Sequence, residues 1–246
     1  MQDMELAANR WFSSWFDTPY YHILYKNRGD EEAQEFMQNM VEFLKLPKGA
    51  SILDLACGKG RHSVYLNELG YDVTGVDLSE NSISYAKQFE NDTLKFYTHC
   101  MCTPLKQKFD AVFNLFTSLG YFDEEKENLE SIIAIKEEIK EGGWGVIDFM
   151  NVKKVIRELV PSEIKKVKGI DFKISRRVEN GFILKDIKFE DEGEEYTFTE
   201  KVMALTLEKF RLYFFKAGIE LVHTFGNYNL EPYDESTSDR LILVFR

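Results

Sequence analysis

The amino-acid sequence predicts an α/β protein with a mostly parallel sheet and an inserted antiparallel meander. Between residues 52 and 149, apolar segments of strand length alternate with helical segments, which is typical of a parallel sheet with crossover helices. A glycine-rich turn follows the first strand, and after Phe172 the hydrophobic period changes to two. The 246 residues, of which 44% are hydrophobic, fit one large domain better than two compact ones.

The elements of the parallel part follow from the spacing of their apolar residues. Residues 30–46 have apolar side chains at three- and four-residue spacing, with Asp30 as the expected N-cap and Pro47 as the stop, and predict an amphipathic helix. Strands are predicted at residues 52–57, 71–76, 94–101, 109–116 and 144–149. The intervening helices are predicted to end near Gly70, to begin at Ser79 and to be closed by the glycine pair at 142–143.

The rest of the chain predicts the meander and a return to the sheet. Apolar and polar residues alternate from Phe172 onward, Asn180-Gly181 is a type I′ hairpin signal, and residues 190–195 form a second turn before a further strand. A helix capped by Thr206 is predicted to end at Gly218. Strands at 219–225 and 241–245 then form a plausible antiparallel closing pair.

Composition and charge exclude several classes of function. The formal net charge of −11 opposes attraction to phosphate backbones, so nucleic acid is not an expected partner. Neither a run of about 18 apolar residues nor a secretory leader is visible, so no membrane is expected. The cysteines at 57, 100 and 102 cannot all pair and lack a second pair at zinc-site spacing, so we expect reduced thiols, a cytoplasmic protein and no metal.

The turn after the first strand and an acid after the second predict an adenosine site. Residues 54–60, DLACGKG, run from a strand into a glycine-rich turn that lets a ligand approach the backbone. Asp77 lies near the distance of about 20 residues at which a carboxylate accepts bonds from ribose hydroxyls. Ser63 stands where a dinucleotide fold needs a third glycine, which argues against NAD or FAD.

Two segments resemble a known family. Residues 52–60, ILDLACGKG, resemble the first motif of class I S-adenosylmethionine-dependent methyltransferases, and residues 75–79, GVDLS, resemble the second. The resemblance implies a Rossmann-like, seven-stranded sheet with helices on both faces and an antiparallel last strand. It also implies S-adenosylmethionine as cofactor and S-adenosylhomocysteine as product. Asp77 would hold the ribose, and the methionine part would lie on the loop. The cofactor-binding residues expected from these two motifs are Asp54, Ala56, Cys57, Gly58, Gly60, Asp77 and Leu78.

Two further turns carry expected cofactor contacts. The family often has Gly-Asp-Met after the third strand, where this chain has His99-Cys100-Met101, so Met101 would flank the adenine and the backbone near Cys100 would supply polar contacts. Residues 114–122, NLFTSLGYF, resemble the corresponding loop of small-molecule N-methyltransferases such as those acting on amino sugars. This likeness makes loop residues site candidates, although such aromatics also commonly pack a sheet edge. The candidates are Leu115, Phe116, Thr117 and Tyr121.

An aromatic-rich N-terminal segment is expected to cover the cofactor. Related enzymes fold a lid there, and we expect Tyr21 and Arg28 to take part. Arg28 either clamps the methionine carboxylate or is a solvated charge. The single domain then divides into a helical lid segment (1–46), a cofactor-binding core (47–160), the meander (161–205) and a C-terminal helix and hairpin (206–246).

The expected chemistry depends more on positioning than on a strong base. Methyl transfer from a sulfonium is an in-line displacement, which gains most from alignment and from exclusion of water. For an amine acceptor, Tyr121, His62 or Asp148 is the candidate to assist deprotonation. The acceptor is expected to be a small molecule bound by a monomer or homodimer. A thiol or metalloid acceptor, as in tellurite-type enzymes, an O-methyltransferase and a noncatalytic sensor of the cofactor stay open.

Overall fold

The computed structural model describes residues 11–25 and 30–246. The strands are β1 (Ser51–Leu55), β2 (Asp72–Asp77), β3 (Leu94–Thr98), β4 (Phe109–Asn114), β5 (Ile139–Met150), β6 (Ser162–Val167), β7 (Ile170–Glu179), β8 (Phe182–Asp191), β9 (Glu194–Met203), β10 (Leu221–Phe225) and β11 (Arg240–Phe245). The α-helices are α1 (Trp11–Phe16), α2 (Pro19–Leu24), α3 (Asp30–Phe43), α4 (Arg61–Glu68), α5 (Glu80–Ala86), α6 (Glu125–Glu137), α7 (Val152–Arg157) and α8 (Leu207–Ala217). None of the helices within these residues is both long and apolar enough to cross a membrane.

The larger sheet, here called the core sheet, has seven strands within the described residues, in the order β10-β11-β5-β4-β1-β2-β3. Strands β1 to β5 run parallel to one another, whereas β11 is antiparallel to both β5 and β10. The prediction of a seven-stranded, mostly parallel sheet whose last strand is antiparallel is therefore confirmed.

Helices cover both faces of the core sheet because its strands have apolar side chains on both sides. Ile52 belongs to the cluster that contains Phe36 of α3, whereas its neighbour Leu53 belongs to the cluster that contains Ile132 of α6 and Phe210 of α8. Successive side chains of a strand point to opposite faces, so both faces are buried. Only the ends of the strands remain for a ligand, and the carboxyl ends are the usual place in α/β sheets.

The smaller sheet, here called the meander sheet, is antiparallel, with four strands in the described part of the chain in the order β6-β7-β8-β9. The predicted meander is confirmed, but the sequence analysis did not include β6. All its residues but Val167 are exposed, and Val167 is partly exposed. Such an edge strand has no buried face to create the alternation by which strands are recognised.

The start of β5 differs from the prediction. The glycine pair at 142–143 does not close the helix before it, because α6 ends at Glu137 and β5 already begins at Ile139. The pairing of β4 with β5 shifts register between Phe109 and Ala111. Gly142 has a φ of 76° there, and a Cβ at Gly143 would lie 2.9 Å from the Asp110 carbonyl oxygen. The glycines therefore form an irregularity inside the strand.

The two N-terminal helices pack on the meander sheet. Trp15 of α1 and Leu24 of α2 form one buried apolar cluster with meander residues that include Phe172, Ile187 and Phe189. This cluster is separate from the two clusters of the core sheet. We call α1, α2 and the meander sheet together the lid unit.

Candidate functional site

A cavity of about 410 Å³ lies at the carboxyl ends of the core-sheet strands. The turns after β1, β2, β3 and β4 line it, together with residues of α1, α2 and α4 and the segment 118–122. The expected site residues that line it are Tyr21, Asp54, Ala56, Cys57, Gly58, His62, Asp77, Leu78, Cys100, Met101, Leu115, Phe116 and Tyr121. Gly60, Thr117 and Asp148 are buried and do not line it, and Arg28 lies outside the described residues.

The turn after β1 has a backbone that favours glycine. Ala56, Gly58 and Gly60 have φ values of 66°, 56° and 79°. A Cβ at Gly60 would lie 2.6 Å from the Phe96 ring, so this N-cap of α4 needs glycine for space as well as for conformation. A Cβ at Gly58 would meet no atom within 4 Å, so that position opens onto the cavity.

Asp77 ties the turn after β1 to the turn after β2. Its Oδ2 accepts a hydrogen bond from the Gly58 amide at 2.8 Å, and its Oδ1 accepts one from the Ser79 amide at 2.8 Å. Burial raises the pKa of this carboxyl above its ordinary value, although both amide bonds act to lower it. Each carboxylate oxygen keeps acceptor capacity for a further hydrogen bond.

Asp54 lies buried at the end of β1, next to Asp77. Ser63, at the position where a dinucleotide fold has its third glycine, donates its hydroxyl to Asp54 Oδ2 at 2.5 Å. Burial raises the pKa of Asp54 to about 6, opposed by that hydrogen bond and increased by the nearby Asp77 charge. The presence of serine at this position is therefore explained by its role as the hydrogen-bond partner of a buried acid.

The turn after β3 differs from the expectation of reduced thiols. Cys100 and Cys102 are joined by a disulfide, because the turn brings their Cα atoms to 5.4 Å, within the usual range for such a bond. Cys100 and Met101 both line the cavity. Cys57 is a free, buried cysteine, and burial raises the pKa of its thiol well above the ordinary value.

The turn after β4 holds two consecutive non-glycine residues in the left-handed region. Phe116 has a φ of 59° and Thr117 a φ of 63°. This conformation costs roughly 1–2 kcal/mol per residue, so surrounding contacts must maintain it. The Phe116 ring lines the cavity and stacks on His62, with ring centroids 4.4 Å apart and an interplanar angle of 23°.

Asp148 of β5 is fully buried behind that turn. Its Oδ2 accepts hydrogen bonds from the Phe116 amide at 2.9 Å and the Tyr228 hydroxyl at 3.3 Å, and its Oδ1 accepts one from Arg240 Nε at 2.8 Å. Arg240 Nη2 also donates to the Thr117 hydroxyl at 3.0 Å. The sequence analysis named Asp148 and missed Arg240 and Tyr228, which no motif marks.

Tyr121 lies in an aromatic group contributed by the lid unit. Its ring centroid is 5.5 Å from Trp11 and 5.4 Å from Phe16, and Phe16 in turn lies 4.8 Å from Tyr21. The aromatic richness of the N-terminal segment was the signal for these contacts, although the sequence analysis did not single out Phe12 and Phe16 as cavity residues.

Polar contacts fix α1 and α2 to the meander sheet. Glu200 of β9 accepts hydrogen bonds from Trp15 Nε1 at 2.8 Å and from the Tyr25 hydroxyl at 2.5 Å. The lid unit also reaches the turn after β2, where Asp17 accepts a hydrogen bond from the Ser79 hydroxyl. The aromatic wall of the cavity is therefore held in place from both sheets.

Comparison with known proteins gives a consistent picture. A family model described as tellurite resistance protein TehB matches residues 20–161. A Streptomyces venezuelae dTDP-3-amino-3,4,6-trideoxy-alpha-D-glucopyranose N,N-dimethyltransferase is 28% identical over 130 residues, 52% of this chain and 54% of that protein. A probable S-adenosyl-L-methionine-dependent methyltransferase TehB of Haemophilus influenzae is 32% identical over 114 residues, 44% of this chain and 39% of that protein. The matched part is thus about half the length of the first curated relatives or less.

Solved structures share the fold over nearly the whole chain. A S-adenosylmethionine-dependent methyltransferase from Clostridium acetobutylicum has a TM-score of 0.78 at 17% identity, covering 92% of this chain and 95% of the other. CalS10, an amino pentose methyltransferase from Micromonospora echinaspora, has a TM-score of 0.70 at 18% identity, covering 93% and 96%. These likenesses support the Rossmann-like fold.

Proposed function

Because the chain belongs to the family of the tellurite resistance protein TehB, we propose that it is an S-adenosylmethionine-dependent methyltransferase that acts on a small molecule. The observation that carries the proposal is the joint geometry of Asp77 and Gly58. A partly buried carboxylate and an open glycine backbone meet at the wall of a cavity at the carboxyl ends of the strands. The net charge of −11 supports a small molecule over a nucleic acid as partner, and we infer a monomer or homodimer.

The residues around the cavity fit S-adenosylmethionine. Asp77 is placed to accept bonds from ribose hydroxyls, and the open position at Gly58 leaves room for the methionine part. Asp54 supplies a buried carboxylate near that part, and Cys100 and Met101 border the expected adenine end. The cavity of about 410 Å³ is within the size range of small-molecule sites.

The chain contributes alignment and a dry cavity. S-adenosylmethionine supplies the methyl group. The sulfonium of the cofactor loses its positive charge when the methyl group is transferred. Phe116 and His62 form a stacked wall, and Tyr121 lies among the aromatic rings of the lid unit, so the space proposed for the acceptor is bordered by aromatic rings, which disfavour water. His62 and Tyr121 line the cavity and are the residues proposed to take a proton from an amine acceptor.

Nitrogen or oxygen of a small molecule is the proposed acceptor atom. A relative named as an N,N-dimethyltransferase of an amino sugar and a fold shared with an amino pentose methyltransferase support nitrogen. The family description favours a second candidate, a metalloid oxyanion such as tellurite. The two acceptors differ in chemistry, so one panel of substrates separates them.

The test combines binding and turnover. Calorimetry should detect S-adenosylmethionine and S-adenosylhomocysteine, and Asp77→Ala should weaken both about tenfold or more, since bonds to a charged group are lost. Asp72→Ala is the matched control, because Asp72 begins the same strand and is exposed. A folded wild type that binds neither compound would overturn the proposal.

Turnover then identifies the acceptor. Transfer of a labelled methyl group to amines, hydroxyl compounds, thiols and tellurite should reveal one preferred class. Binding without transfer to any of them would contradict the enzyme and favour a sensor of the cofactor.

A further inference from the structure

Two hydrogen bonds from Asp148 hold the left-handed turn after β4. Its carboxylate accepts a hydrogen bond from the Phe116 amide, and its backbone carbonyl accepts one from the Thr117 amide, each at 2.9 Å. Both amides belong to residues with positive φ. One residue of β5 therefore satisfies the two backbone donors that this strained turn exposes.

Arg240 contacts both Asp148 and the turn after β4. It donates to the Asp148 carboxylate and to the Thr117 hydroxyl, so its guanidinium bridges the acid and the turn. The Arg240 side chain is 21% exposed and that of Asp148 is 0% exposed. The Tyr228 ring lies next to the Arg240 guanidinium, whose Cζ is 5.7 Å from the ring centroid.

The directions of the pKa shifts of Arg240 and Tyr228 agree with these hydrogen bonds. Burial by itself lowers the pKa of Arg240, but attraction to Asp148 together with their hydrogen bond raises it overall. Burial raises the pKa of Tyr228 and the Asp148 charge raises it further, so the phenol stays protonated and donates. Asp148 is thus occupied by several donors and does not line the cavity, which leaves it unsuited to take a proton from an acceptor.

The turn after β4 places the Phe116 ring in the wall of the cavity. Phe116 lines it together with Leu115 and Ser118, and stacks on His62. A change in the φ of Phe116 would move the ring out of that stack. A buried ion pair is by itself weak evidence for stability. The informative feature of the Asp148–Arg240 pair is that both of its members hydrogen-bond to the turn after β4.

We propose that Asp148 and Arg240 are positioning residues that fix Phe116 in the cavity wall and thereby orient the methyl acceptor. This rests on the proposed function for the acceptor, but the positioning itself is a property of the free protein. Arg240 of β11 then supports the wall of the site from behind.

Hydrogen exchange in the ligand-free protein tests the positioning directly. Thr117→Val keeps the shape and branching of the side chain and removes the hydroxyl that Arg240 contacts, and Asp148→Asn weakens the whole network. Both should speed amide exchange at 116–117 about tenfold or more, as expected for the loss of hydrogen bonds to charged groups. Thr117→Ser should restore exchange to near the wild-type rate.

Arg246→Leu is the matched control. It removes an ion pair with Glu220 at 3.0 Å, in which both side chains are more than half exposed, next to the end of the same strand. Exchange at 116–117 should stay unchanged. Equal rates in wild type and Thr117→Val, with both folded, would overturn the proposal whether or not the protein binds S-adenosylhomocysteine.

Turnover supplies the second readout once an acceptor is known. Thr117→Val should lower kcat or raise the acceptor KM, with a loss of about tenfold to a hundredfold in kcat/KM, while the affinity for S-adenosylhomocysteine changes little. A purely structural role would instead lower the melting temperature and leave the acceptor KM and the exchange pattern intact, and that result would contradict positioning.

Discussion

Glu138 at the C-terminal end of α6 should destabilise the protein at neutral pH. Its side chain is buried, with the residue 1% exposed. Oε1 accepts a hydrogen bond from the Leu105 amide at 2.8 Å, whereas Oε2 is a buried atom with no hydrogen-bond partner. Burial raises the pKa of this carboxyl to about 7, although the bond from Leu105 acts to lower it. Folding therefore opposes ionisation of this group.

The size and sign of the effect follow from the two pKa values. The ordinary value is 4.5, so the shift to about 7 corresponds to about 3 kcal/mol. The folded pKa is raised, so the penalty is absent below pH 4.5, grows as pH rises toward 7 and is complete above it. Glu138→Gln imitates the protonated acid and keeps the acceptor for Leu105. It should stabilise the protein by up to about 3 kcal/mol at pH 8 and change little at pH 4.5.

Urea unfolding at several pH values measures this difference. The control is Glu141→Gln, because Glu141 is an exposed acid nearby in the chain, whereas the charge of Glu137 itself raises the pKa of Glu138. The control should not change the free energy of unfolding by more than a few tenths of a kcal/mol. A Glu138→Gln protein whose stability relative to wild type is the same at pH 4.5 and pH 8 would refute the reasoning.

Three further predictions concern residues at the cavity and in the elements that pack around it. Gly75→Ala brings a methyl carbon to 2.6 Å from the Phe96 ring and should lower the free energy of unfolding by about 1–3 kcal/mol in urea titrations. Glu200→Ala removes the acceptor of Trp15 Nε1 and should speed hydrogen exchange in α1 and α2, with the core sheet unchanged as internal reference. Asp54 has a pKa of about 6, so calorimetry should find S-adenosylmethionine, a cation, bound about tenfold more weakly at pH 5 than at pH 7, and Asp54→Asn should flatten this dependence.

The core sheet and the turns that line the cavity could be predicted from the sequence because their signals are local. The strand, the glycines and the acid at the end of the next strand lie within residues 52–77, and each has a short-range physical reason. Ser63 was recognised as a departure from the dinucleotide pattern, but its bond to Asp54 needs the fold to bring the two together. The disulfide between Cys100 and Cys102 depends on the same kind of turn geometry and was not predicted.

The parts that escaped prediction depend on contacts distant in sequence or on exposed residues. Arg240 meets Thr117 across 123 positions, and Tyr228 meets Asp148 across 80, so no local pattern indicates either contact. The edge strand β6 lacks a buried face and therefore lacks a hydrophobic period. Asp148 was named for its place late in a strand, which is correct as a location but does not distinguish a proton acceptor from a positioning residue.

The position of β11 between β5 and β10 has a consequence for biosynthesis. A chain emerging from the ribosome can pair β1, β2, β3, β4 and β5 and form the glycine turn long before Arg240 is made. The half of the pocket that we propose holds the nucleoside then exists before the half that we propose faces the acceptor. Nascent or truncated chains that end before β11 should therefore retain some affinity for the cofactor while lacking a fixed Phe116, and a ligand that binds them early would act as a folding aid for the remaining strands.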